Sequence, residues 1–99
     1  MAVEVRDNED EKVIVLDGDI DMTKMKGIKE ELLRIIENVD KNVVIDFSNV
    51  DYIDSSGVGV LIIISKELKK TNKSLRLINL SDRISKILEL SSLQEVIQS

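Results

Sequence analysis

Apolar positions follow two different periods along this chain. Val3 and Val5 alternate with Glu4 and Arg6, and Val13-Ile14-Val15-Leu16 follows the polar stretch Asp7-Asn8-Glu9-Asp10. Both apolar segments are rich in β-branched residues, which pack well on a pleated surface, so they predict a hairpin with a somewhat long loop. The first strand falls at a sheet edge, where Glu4 and Arg6 discourage pairing with another sheet. The period then changes. Met25, Ile28, Leu32, Ile35, Ile36 and Val39 recur at helical spacing, with Lys24, Lys26, Lys29, Glu30, Arg34 and Glu37 on the other face. This predicts an amphipathic helix lying on a sheet. Its lysine-bearing start opposes the helix dipole, and Asp21 just ahead of it offsets that.

Val43-Val44-Ile45-Asp46-Phe47 is apolar on both faces apart from Asp46, the signature of a central strand. Val58 to Ile64 has strand-like propensity, yet Gly57, Val60, Leu61, Ile64 and Leu68 share one helical face. The cationic tail Lys66-Glu67-Leu68-Lys69-Lys70 suits a helix C-terminus, and a helix supplies the crossover that a parallel strand needs. Val58 and Ile62 then lie on a second side of that helix. They are either covered by another element or exposed as a small apolar patch. Ser74-Leu75-Arg76-Leu77-Ile78 predicts a further strand after the turn Thr71-Asn72-Lys73. Ser81 caps a short helix carrying Ile84, Ile87 and Leu88, and Ser92 with Glu95 has capping-box spacing ahead of Leu93, Val96 and Ile97. The order is β-β-α-β-α-β-α in a single α/β domain over residues 1–99. It implies right-handed crossovers and a mixed, mostly parallel four-stranded sheet with one antiparallel edge.

Composition narrows the chemistry. The 99 residues hold no cysteine or histidine, which excludes disulfides, thiol nucleophiles, Cys/His zinc sites and histidine-based triads. A formal charge of −5, with one Tyr and one Phe, argues against direct contact with nucleic acid. Met1-Ala2-Val3-Glu4-Val5-Arg6 has no signal-peptide core, and the apolar run Val60 to Ile64 is too short to span a bilayer. The expectation is a soluble, cytoplasmic, monomeric protein without membrane contact.

Between a strand and a helix lies Asp51-Tyr52-Ile53-Asp54-Ser55-Ser56-Gly57-Val58-Gly59-Val60-Leu61. Ser-Ser-Gly before an apolar run caps a helix when a serine oxygen accepts from the free N–H groups. The same arrangement also receives an anion or a phosphate. Composition and spacing leave both readings open. Asp54-Ser55-Ser56-Gly57-Val58-Gly59-Val60-Leu61 resembles the signature of the STAS domain, in particular of the bacterial anti-sigma-factor antagonists. The resemblance extends over nearly the whole chain, through Leu16-Asp17-Gly18-Asp19-Ile20-Asp21 and Val44-Ile45-Asp46-Phe47-Ser48. The family often has leucine where this chain has Val58.

The resemblance implies a STAS-like fold and a partner switch without catalysis or a cofactor of its own. The unmodified protein would bind an anti-sigma factor that is also a serine kinase, and so release the sigma factor. Phosphorylation on Ser56, from ATP and Mg²⁺ used by the kinase, would dissolve that complex, and a serine phosphatase would reset it. Ser56 is the implied phosphosite, Ser55 is its neighbour, and Asp21 matches an acid beside it. Val58 and Ile62, with Asp21, Asp54, Ser55, Ser56 and Gly57 around them, are expected to form the docking face.

Two alternatives remain at this stage. A STAS scaffold subunit would leave Ser56 unmodified. A small Mg²⁺-dependent phosphatase would use Asp19 and Asp21, since Asp19-Ile20-Asp21-Met22-Thr23 resembles the first motif of haloacid-dehalogenase-type enzymes. Carboxylates two residues apart can share a hard cation, but no later acidic pair of the usual form is present. Asp46, at a strand end, is the phosphoacceptor candidate if the chain is compared with a receiver domain, for which a fifth βα unit is missing.

Overall fold

A computed structural model describes residues 2–90. Strands β1 (Ala2–Asp7) and β2 (Glu11–Asp17) are followed by α1 (Met22–Ile36), β3 (Asn42–Asn49), α2 (Ser55–Lys69), β4 (Leu75–Ile78) and α3 (Asp82–Glu89). The expected order and element types hold throughout this stretch. The capping box at Ser92 and Glu95 lies outside the described residues.

The hairpin is tighter than its polar stretch suggests, because β1 runs on through Asp7 and only Asn8, Glu9 and Asp10 turn the chain. The Asn8 side chain makes this possible. Its Oδ1 accepts from the N–H groups of Asp10 at 2.9 Å and Glu11 at 2.7 Å, which is the local bonding that asparagine offers a turn.

The sheet order is β1-β2-β3-β4, with β1 antiparallel to β2 and the other pairs parallel. β1 is the predicted edge. Two successive parallel steps in one direction, each made through a right-handed crossover, put α1 and α2 on the same face of the sheet. That face supplies Ile14, Leu16, Val43, Ile45, Phe47, Leu75 and Leu77 to the main core. From α1 come Met25, Ile28, Leu32 and Ile36, from α2 Val60, Leu61, Ile64 and Leu68, and from α3 Ile84 and Leu88. The alternate residues Val15 and Val44 are also buried, on the opposite face, where Arg76 pairs with Glu11 at 3.0 Å.

Parallel strands end together, so the segments that lead into α1, α2 and α3 gather at one end of the sheet. A cleft of about 650 Å³ lined by Leu33, Ile36, Val39, Glu67, Leu68 and Thr71 lies at the other end, between the C-termini of α1 and α2.

Candidate functional site

Gly18 turns the chain out of β2 with φ 101°, a conformation that costs other residues strain. The segment after it pairs with the one ahead of α2. Ile20 and Ile53 form a parallel bridge, the Ile20 N–H donates to the Tyr52 carbonyl at 2.9 Å, and the Asp54 N–H donates to the Ile20 carbonyl at 3.2 Å. Asp21 and Asp54 each follow a residue of this bridge, which sets the starts of α1 and α2 side by side.

Each acid caps its helix. Asp21 Oδ1 accepts from the N–H of Thr23 at 3.0 Å, the N–H of Lys24 at 3.2 Å and the hydroxyl of Thr23 at 2.6 Å. The Thr23 hydroxyl is the main cause holding the Asp21 carboxyl below the usual aspartate range, and the two backbone donors and the Lys24 charge act in the same direction. Asp54 Oδ1 accepts from the N–H of Gly57 at 3.1 Å.

The helix cap is therefore aspartate, which sets aside the serine-cap reading of Ser55-Ser56-Gly57. Ser55 and Ser56 are the first two residues of α2, past the cap position. A carboxylate one residue earlier takes over the first-turn donor, which leaves both hydroxyls outside the cap. Ser55 is exposed and Ser56 half-buried. Among the described residues the Ser56 hydroxyl has no hydrogen-bond partner. The N–H groups at the start of a helix have no intrahelical acceptor, so negative charge is well received at this turn.

Gly57 has a different reason to be there. It is buried, and a Cβ on it would lie 2.5 Å from Ile53 Cγ1 and 2.9 Å from Ile20 Cγ2. Its absent side chain lets α2 press onto the Ile20–Ile53 bridge. Gly57 thus positions the site from beneath and adds no surface to it.

Val58 and Ile62 are half-buried and pack against the main core while keeping some exposure. Neither of the two expected extremes, full cover or an open patch, describes them. Ile63 is half-buried as well, and Tyr52 is 42% exposed on the segment that leads into α2. The helical reading did not single out Ile63 or Gly59 as surface candidates. The signal was available in their position opposite the buried residues Gly57, Val60, Leu61 and Ile64.

The other acidic candidates are separated from this arrangement or already engaged. Asp19 is exposed, Asp21 serves as a cap, and no group of three or more carboxylates is placed to hold a metal ion among the described residues. Asp46 Oδ1 accepts from the Ser48 N–H at 2.8 Å and from Asn79 Nδ2 at 3.0 Å. Partial burial pushes the Asp46 carboxyl up, but these bonds, the Ser48 hydroxyl and the Arg6 charge together hold it below the usual range. The carboxylate ties the end of β3 to the residue after β4.

Comparison with known proteins agrees with this geometry. The family model for the STAS domain matches residues 2–99. The anti-sigma-B factor antagonist of Bacillus subtilis (strain 168) is 32% identical over 95 residues, which are 96% of this chain and 86% of that protein. The anti-sigma factor antagonist SpoIIAA in its unphosphorylated form superposes with a TM-score of 0.83 at 23% identity, covering 98% of this chain and 86% of that one. The Bacillus cell fate determinant SpoIIAA in its phosphorylated form gives 0.76 at 23% identity, covering 98% and 89%. With a family model spanning all but the first residue and a relative matched along most of its length, this chain belongs to the STAS domain family, among its anti-sigma-factor antagonists.

Proposed function

We propose that this chain acts as an anti-sigma-factor antagonist that is switched by phosphorylation on Ser56. The unmodified protein binds an anti-sigma factor and releases the sigma factor. The anti-sigma factor is also the serine kinase, and a serine phosphatase restores the active form. The chain is the substrate of that chemistry and works in the cytoplasm, where the kinase finds ATP. No described helix is long and apolar enough to cross a membrane.

The observation that carries this reading is the uncommitted hydroxyl of Ser56 on the first turn of α2, beside a cap that Asp54 supplies alone. The hydroxyl can be modified without removing a bond that holds the helix. A phosphoserine adds about −1.5 to −2 charge. At this turn it gains from the helix N-terminus and faces Asp54, with Asp21 on the adjoining helix start. The fold tolerates the charge while the surface that meets the partner becomes more negative. Weakening a complex from micromolar to millimolar requires about 4 kcal/mol. An unpaired charge buried against a poorly matched surface costs that much without any rearrangement of the fold. Asp21, Asp54, Ser55, Val58 and Ile62 complete the docking face in this reading.

The test is intact mass after incubation with extract of the source organism and Mg-ATP, on wild type and on Ser56→Ala. The expected result is one phosphate on the wild type and none on the variant. No added mass on the wild type, in an extract that phosphorylates a control substrate, would overturn the switch and favour an unmodified scaffold subunit.

A further inference from the structure

Of the two strands at the edges of the sheet, β4 offers four residues and β1 six. Among the described residues β1 pairs only with β2. The Asn8 N–H donates to the Glu11 carbonyl at 3.1 Å, which fixes the phase of that ladder. Antiparallel pairs alternate between hydrogen-bonded and non-hydrogen-bonded, so Glu4 and Arg6 turn their backbone groups towards β2. Val3, Val5 and Asp7 turn theirs to the open side. Such an edge is a template for another strand.

The side chains say which strand fits. Val3 and Val5 stand opposite Leu16 and Ile14, on the face that carries the helices. Val5 is nevertheless 40% exposed. Glu4 and Arg6 stand on the other face, both exposed, with Arg6 Nη2 3.2 Å from Glu4 Oε2. A second copy of β1, laid antiparallel with Val5 facing Val5, brings Glu4 opposite Arg6 of that copy and Arg6 opposite its Glu4. These are non-hydrogen-bonded pairs, in which side chains come closest and opposite charges stabilise the sheet. In the same register Val5 exchanges both backbone bonds with its counterpart, and Val3 exchanges both with Asp7 of the second copy. Centring on Glu4 or on Arg6 instead sets like charges against each other and turns the bonding groups away from the seam.

We propose that β1 is a docking edge for a second copy of this chain, in a two-fold antiparallel pairing centred on Val5. Three separate features choose that register: the outward backbone groups, the open valine and the self-complementary charges. The alternation of Glu4 and Arg6 that deters a foreign edge matches itself here. The pairing joins two four-stranded sheets into one and replaces the expected monomer with a dimer. It is independent of the functional reading above, since α2 packs on the β4 side of the sheet, with β2 and β3 between that side and β1. A single strand edge buries less than the roughly 1,200–2,000 Å² of a standard interface, so the dimer is a weak one, with a dissociation constant of about 10–100 µM.

Charge reversal tests both the surface and the register. Sedimentation equilibrium is run over a concentration series on wild type, Glu4→Arg, Arg6→Glu, the double variant carrying both, and an equimolar mixture of the two single variants, all folded by circular dichroism. Wild type should dimerise. Each single variant should self-associate at least about tenfold more weakly, because both symmetric pairs become like-charged. The mixture and the double variant should recover the dimer, since each restores opposite charges across the seam. A wild type that stays monomeric up to about 1 mM would overturn the proposal. So would single variants that dimerise as wild type does, which would place self-association on another surface. Failure of both the mixture and the double variant to recover it would overturn the Val5-centred register.

Discussion

The starts of α1 and α2 stand side by side, and each is capped by an aspartate that follows a residue of the Ile20–Ile53 bridge. Two positions past the cap, each helix carries a hydroxyl, Thr23 in α1 and Ser56 in α2. In α1 that hydroxyl donates to the capping carboxylate at 2.6 Å. In α2 it has no hydrogen-bond partner among the described residues. Three positions past the cap the contrast reverses, with exposed Lys24 in α1 and buried Gly57 in α2. The α1 turn is closed by its own polar groups. The α2 turn is held from below by packing, and the Ser56 hydroxyl takes no part in holding it. A switch needs that division, because modifying a group that also held the fold would cost the fold each time.

The comparison is broken most severely at the third position. Gly57→Ala should lower stability by about 2 kcal/mol, since a Cβ 2.5 Å from Ile53 Cγ1 forces the bridge to move. Lys24→Ala should leave the thermal midpoint within a degree or so of wild type. Adding Ile53→Val to Gly57→Ala should recover part of the loss. A wild-type midpoint in Gly57→Ala would show that α2 is not seated on this contact.

Removing the α2 cap comes next. Asp54→Ala should cost about 1 kcal/mol, read from urea unfolding, because no serine stands at the cap position to replace the carboxylate. A negligible cost would return the capping role to a serine.

The two hydroxyls give a finer contrast. Ser56→Ala should change stability by less than about 0.5 kcal/mol. Thr23→Ala should lower the thermal midpoint measurably, because it removes the donor at 2.6 Å from Asp21. Equal effects would mean that the Ser56 hydroxyl is engaged after all.

The smallest effect is on the acid limb of stability. Asp21 has a folded pKa below its ordinary value, so its ionised form stabilises the fold above about pH 4 and that support is lost as pH falls through the folded value. Asp46 acts with the same sign. Midpoints measured from pH 6 down to pH 3 should fall, and Asp21→Asn should flatten the decline. An unchanged slope in the variant would remove Asp21 from the account.

Much of this was legible along the chain because the two hydrophobic periods are clean. Met25, Ile28, Leu32 and Ile36 gave α1 its buried face, and Gly57, Val60, Leu61, Ile64 and Leu68 gave α2 its own. The edge position of β1 followed from Glu4 and Arg6. Capping was harder to read, since Asp54, Ser55 and Ser56 are all good capping residues and adjacent. Only the backbone at Asp54, extended at φ −105° and ψ −176°, decides which of them stands outside the helix. Val58 and Ile62 were harder still, because partial burial depends on how closely a neighbouring element approaches.

The sequence by itself determined the element order, the class of fold and the stretch where the chemistry lies. Periodicity, turn residues and a local signature carry that information within a few residues of each position. Only the folded chain settles which oxygen caps α2 and why Gly57 has no side chain. Those depend on Ile20 meeting Ile53 across more than thirty residues of chain, a contact that no local pattern encodes.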